Sequence, residues 1–197
     1  MSQADKTKQK FADTLKELSR TKPMAKISVG DLVHACDVNR STFYYHFLDM
    51  EDLVLWIFHN DITEHYFKIV PVGWKSNVLF FFEQLRKDCD FYQQAILLSG
   101  ENSLSKELYR VFYRYYMDYL NMYLADKPIS ESGMDYIAGF YASATANTGI
   151  EYIKSGAAEE PEEMTDRFFS VLWPGLALAA DNLAAQEREG HTSESGK

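Results

Sequence analysis

The sequence predicts an all-α protein of about nine helices, and three observations carry that expectation. Apolar residues recur at three- and four-residue steps along most of the chain, the period of a helix that buries one side. Runs of five or more residues with strict apolar–polar alternation are absent, as are the Asn-Gly and Asp-Gly pairs that close hairpins. Most of the five prolines and ten glycines fall between the periodic segments; Pro23, Pro71, Pro128 and Pro161 mark boundaries. Apolar residues make up 46% of the 197, enough for a real core and too many for wholesale disorder.

Phe11, Leu15 and Leu18 define a first helix over residues 5–21. Ser28 followed by Asp31 forms a capping-box pattern and starts a helix that ends near Cys36. After the turn Asp37-Val38-Asn39, Asn39 can cap a short helix over 40–47. Leu53, Trp56, Ile57 and Asn60 continue into a long helix over 50–67, followed by helices near 74–89 and 91–99. The helix over 103–125 carries two apolar stripes, one with Leu104, Leu108, Val111, Tyr115 and Met122, the other with Tyr109, Phe112, Tyr113, Tyr116 and Leu120. A helix so apolar must pack on several sides. The next, over 130–155, is rich in small residues that allow close helix approach. The last runs from the loop Glu159-Glu160-Pro161 to Arg188, with a kink expected at Pro174, and a polar, flexible tail is expected over 189–197.

The net charge of −9 argues against a protein that coats nucleic acid uniformly, but the charge is uneven. Residues 1–50 hold eight Lys/Arg against six Asp/Glu, which leaves twelve against 23 for the rest. Cys36 and Cys89 form no CxxC pair and are too few for a disulfide scaffold, which suits a reducing compartment. The N-terminus lacks an apolar signal core and no apolar run approaches 18 residues, so a soluble, cytoplasmic protein with no membrane partner is expected.

Two short capped helices joined by a tight turn, with Leu32, Cys36, Val38, Phe43 and Phe47 at packing positions, describe a helix-turn-helix whose second helix can enter the DNA major groove. Its outer face offers Arg40, Ser41, Thr42, Tyr44, Tyr45 and His46, with Lys26, Ser28 and Asn39 alongside. Arginine suits a guanine edge, and hydroxyls can reach phosphates or bases. On spacing alone the bland alternative stands: capped short helices occur in many bundles, and a polar outer face merely keeps them wet.

The run Thr42-Phe43-Tyr44-Tyr45-His46-Phe47, after Val38-Asn39-Arg40 and before Asp49-Met50-Glu51-Asp52-Leu53, closely resembles the tetracycline-repressor (TetR/AcrR) family of transcriptional regulators. The resemblance implies a DNA-binding head over 1–49 and a helical body over 50–188 that dimerises and takes a small-molecule inducer. It also implies a double-stranded, pseudo-palindromic operator, and repression as the expected mode of control. Phe91 to Ala95, Phe140, Tyr152 to Gly156 and Pro161 to Met164 are similar to a body type that includes regulators of dihydroxyacetone kinase genes. Two departures stand out. Asp37 replaces the usual glycine, though Asp tolerates a left-handed turn. Leu48 and Met50 lie where the family tends to have lysines that grip phosphate, which should flatten the salt dependence of binding.

The aromatic wealth of the body reads either as ordinary core or as the lining of a ligand cavity. The cavity reading names Trp56, His59, Ile62, Tyr113, Tyr116, Tyr141 and Asn147. Twofold DNA sites call for a twofold protein, and the last two long helices offer Ala142, Ala146, Gly149, Phe168, Leu172, Leu176 and Ala180 for the dimer contact. His59 and His65 are six apart and match no metal-binding helix spacing, so no metal and no cofactor are expected. Without a Gly-rich phosphate loop or nucleophile elbow, an enzyme is not expected either. The competing reading is a helical ligand-binding or interaction protein with a weakened DNA-binding head, favoured by the missing lysines and the acidic total.

Overall fold

The computed structural model describes residues 2–64, 74–100, 102–124 and 130–194, and among these no strand occurs. Helix α1 spans Gln3–Ser19, α2 Val29–Ala35, α3 Arg40–His46 and α4 Met50–Phe58. In the body, α5 spans Trp74–Lys87, α6 Cys89–Ala95, α7 Leu104–Tyr123, α8 Glu131–Lys154, α9 Pro161–Val171 and α10 Trp173–Glu194. His65, Pro71, Pro128 and the end of the 50–67 helix lie outside the described residues.

The head closes around aromatic rings. Phe11 of α1 meets Phe43 edge-on at 5.5 Å and Phe47 at 6.2 Å, and Leu15, Leu32 and Cys36 are fully buried beside them. Cys36 is the small core filler its position suggests, with Sγ 3.2 Å from Thr14 Oγ1.

Sequence periodicity continues α4 unbroken, but the helix widens into a π turn over His59–Thr63. Val54, Ile57 and Phe58 are buried, and so are Ile62 and Thr63. At 3.6 residues per turn, a five-residue step from Ile57 to Ile62 would leave the two about 140° apart. The wider turn takes up that offset and keeps both on the buried side. Thr63 closes it, donating its hydroxyl to His59 O at 3.0 Å and lying 2.9 Å from His59 Nδ1.

The body core is an aromatic stack between α5, α7 and α8. Phe81 meets Phe112 at 5.2 Å and Phe82 meets Tyr152 at 5.0 Å. The small residues of α8 do what their type suggests: a Cβ on Gly149 would lie 3.0 Å from the Phe81 ring. The expected single kinked final helix is instead two, broken at Leu172. Pro174 falls in the first turn of α10, where a missing N–H leaves no bond unmade. Helix α10 continues past Arg188 to Glu194, through most of the segment expected as a tail.

Gln94 of α6 ties head to body. Its Nε2 donates to Ser19 O at 2.6 Å, and its Oε1 accepts from Met24 N at 2.7 Å.

Candidate nucleic-acid interface

Each end of the helix-turn-helix is fixed by the residue type that sequence reasoning picked. Ser28 and Asp31 form a full capping box: Asp31 N donates to Ser28 Oγ at 3.1 Å and Ser28 N to Asp31 Oδ2 at 2.8 Å. Lys22 Nζ, 2.9 Å away, and the Ser28 donors hold the Asp31 carboxyl well below the usual carboxylate range. Asp37 takes the left-handed conformation, φ 49°, that the turn requires. Asn39 Oδ1 accepts from Thr42 N at 2.8 Å, Thr42 Oγ1 at 2.9 Å and Ser41 Oγ at 2.6 Å.

These caps separate the predicted DNA-facing residues into two groups. Ser28, Asn39, Ser41 and Thr42 already build the helix starts: the Ser41 and Thr42 hydroxyls donate to Asn39 Oδ1 and the Ser28 hydroxyl to Asp31 Oδ2. Lys26, Arg40, Tyr44 and Tyr45 are exposed and their side chains make no hydrogen bond or ion pair among the described residues. Tyr45 is 82% exposed and Tyr44 57%, unusual for large rings and consistent with a face awaiting a partner. The Tyr45 ring stands edge-on to half-buried His46 at 4.9 Å. Leu48 is 79% exposed beside them, where a lysine was the family expectation.

The seven residues proposed for a ligand cavity fall into separate places. Tyr116 and Tyr141 meet inside the body at 5.7 Å, with Tyr116 Oη 2.7 Å from Thr145 Oγ1. Burial pushes both phenols upward in pKa. Ile62 is buried in the π turn, and half-exposed His59 pairs through Nε2 with Glu107 Oε1 at 3.1 Å. Trp56 packs on Phe47 at the base of the head. Tyr113 points outward to Asp135, donating at 2.6 Å, which pushes its pKa up to about 12. Asn147 is exposed on α8: with Thr145 and Ala146 buried, the next residue turns to the outer face, away from Tyr116.

Residues 13–57 match the family described as bacterial regulatory proteins, tetR family, and residues 73–172 match a transcriptional regulator C-terminal region. The chain belongs to the TetR family. A curated relative is the HTH-type dhaKLM operon transcriptional activator DhaS of Lactococcus lactis subsp. lactis (strain IL1403), 29% identical over 119 residues. The match covers 52% of this chain and 61% of the relative, so the chain spans less than two thirds of the relative's length. The solved structure of the dihydroxyacetone kinase operon activator DhaS superposes with a TM-score of 0.62 at 22% identity. It covers 87% of this chain and 97% of its own, and shows a shared fold.

Within this TetR-family body, most of the positions expected at a dimer contact are occupied internally. Ala142, Ala146, Gly149, Phe168, Leu176 and Ala180 are buried in the protomer, and Leu172 is half-buried at the helix break. Apolar spacing in the sequence does not say which stripe of α8, α9 and α10 packs within one chain. The stripe left open carries Tyr136 and Phe140 on α8, Val171 at the end of α9 and Leu178 on α10, each at least 60% exposed. Within residues 161–186 one 18-residue window reaches a mean hydropathy of 1.3, and 22% of that window is buried inside the protomer. Sequence reasoning also missed the junction between head and body, where Lys16, Asp61 and Asp88 meet from three separated segments; no spacing signal marks them.

Proposed function

We propose that this TetR-family chain binds operator DNA as a homodimer, laying α3 in the major groove, and regulates transcription in response to a small molecule held by the body. The observation that carries the reading is the outer face of α3: Arg40, Tyr44 and Tyr45 stand exposed with unengaged donors on a helix whose start is rigidly capped. Two heads related by a twofold axis would address half-sites one helical turn apart. The open apolar stripe of Phe140, Val171 and Leu178 supports the dimer. The buried Tyr116–Thr145 pair beside Tyr141 gives the body a polar point within an apolar surround, the composition of a small-molecule site. Such a ligand acts only through different affinities for two head spacings.

The relative's name is that of an activator, and a reporter fused to the promoter of the neighbouring genes decides between activation and repression here. The direct test is salt-dependent binding to DNA flanking its own gene. Saturable binding that Arg40→Ala and Tyr45→Ala weaken without unfolding the chain supports the reading. The exposed Leu48 and the partly buried Met50 favour the second reading, a ligand-binding or interaction protein with a weakened head. Binding no tighter to that DNA than to random duplex selects it.

A further inference from the structure

Arg40 and Gly30 share one notch between the first turns of α3 and α2. A Cβ on Gly30 would lie 3.0 Å from Arg40 Nη2 and 4.0 Å from Arg40 Cζ, with Ser28 Oγ 3.4 Å away. The guanidinium therefore rests against bare backbone. The chain conformation does not explain the glycine: Gly30 sits inside α2 with no positive φ, where alanine would favour the helix. What a glycine supplies at that position is space.

Charge does not explain the arrangement either. The neighbouring Asp31 carboxylate is taken by Ser28 and Lys22, and Arg40 makes no ion pair or hydrogen bond among the described residues. One edge of the exposed guanidinium thus lies along the α2 backbone at Gly30 while its N–H donors stay available. A planar group held in this way loses less freedom on binding than one swinging from a surface helix. Its natural target on DNA is the O6/N7 edge of guanine, which accepts two such donors at once.

We propose that Gly30 is a positioning residue for DNA recognition: its missing side chain seats the Arg40 guanidinium on α2 and aims it at a guanine in each half-site. The inference rests on the DNA-binding reading above. The test is selection from a random duplex library by the full-length protein, then affinity measurement on the enriched sequence, for wild type, Gly30→Ala, Arg40→Ala and the double variant. Wild type should enrich a two-fold sequence with a guanine in each half-site. Arg40→Ala should lose that base preference and bind the enriched site roughly 5- to 150-fold more weakly. Gly30→Ala should lose the same preference and bind more weakly by up to the same factor, while melting at or above the wild-type temperature. The double variant should be no worse than Arg40→Ala alone.

Three results overturn the proposal: an unchanged base preference in Gly30→Ala, losses that multiply in the double variant, or equal weakening on every sequence, which would assign Arg40 to phosphate. A wild type that enriches no sequence removes the DNA-binding reading itself and this inference with it. A wild type that enriches a site to which Gly30→Ala is indifferent removes the inference alone.

Discussion

Lys16 of α1 is bound to Asp88 at the start of α6, 2.6 Å away, across the seam between head and body. The same ammonium lies 2.6 Å from Asp61 in the π turn, so one cation bridges two carboxylates from different segments. The three side chains are only about a fifth exposed, at 19%, 22% and 19% for Lys16, Asp88 and Asp61. Tyr92 is fully buried and its hydroxyl has no hydrogen-bond partner among the described residues; burial, then the nearby Asp61 and Asp88 charges, push its pKa well above the ordinary value.

Replacing Lys16 with methionine leaves two like charges facing each other beside a buried ring. Partial exposure places the cost below that of a fully buried pair, at about 1–3 kcal/mol of folding stability. Urea denaturation reads it directly. Adding Asp61→Asn and Asp88→Asn to Lys16→Met should recover much of the loss, since the triple variant buries no unpaired charge.

The same triad fixes the alkaline limit of the head–body joint. Burial alone would lower the Lys16 pKa, but the hydrogen bonds to Asp61 and Asp88 outweigh it and leave the pKa raised. A raised folded pKa contributes stability that is complete below the unfolded value, about 10.4, and is lost as pH climbs through the folded value. The stability gap between wild type and Lys16→Met should therefore be constant at neutral pH and close above pH ~10. A gap that stays fully open well above pH ~10 would contradict the assignment.

At the acid end the sign reverses. The depressed Asp31 carboxyl contributes stability above its unfolded pKa, about 3.9, that is lost only as pH falls through the lower folded value. Amide NMR signals of Ser28 and Asp31 should keep their capped positions through pH 4. In Lys22→Met they should begin to move at a higher pH than in wild type.

Leu48→Lys should strengthen binding to every DNA sequence alike. Leu48 is 79% exposed, so the fold is unaffected, and a lysine there adds one phosphate contact. The slope of log affinity against log salt should steepen by about one unit. An unchanged slope would place residue 48 away from the DNA backbone.

Phe140→Glu combined with Leu178→Glu should give a folded monomer by sedimentation, because both side chains are open on the protomer surface. Ala146→Glu should instead unfold the chain, since Ala146 is 4% exposed inside the protomer. A dimer that survives Phe140→Glu/Leu178→Glu would move the contact elsewhere.

The head was legible from sequence because its structure is local. Ser28 to Asp31 and Asn39 to Thr42 are three-residue relations, and the turn at Asp37 depends on one residue's tolerance of φ 49°. The body was legible only as helices. Whether Ala146 or Phe140 faces another chain depends on how α8 packs on α7 and α10, which no spacing within α8 encodes. Asn147 and Tyr113 were placed in a cavity for the same reason, since helical phase alone does not say which side is inside. The Lys16 triad joins residues dozens apart, and the seat under Arg40 depends on a side chain that Gly30 lacks.

The π turn at His59–Thr63 makes the molecule sensitive to chain length in a way ordinary helices are not. Wound at the ordinary helical period instead, the same residues would turn everything beyond that stretch by about 100°, with about 1.5 Å of axial travel. Within one chain that would carry Ile62 and Thr63 off the buried side. In a dimer on DNA, the two heads would turn oppositely, and both Arg40 side chains would leave the groove together. The extra residue thus works as a phase setting, keeping α4 and the turn that follows it on one buried side.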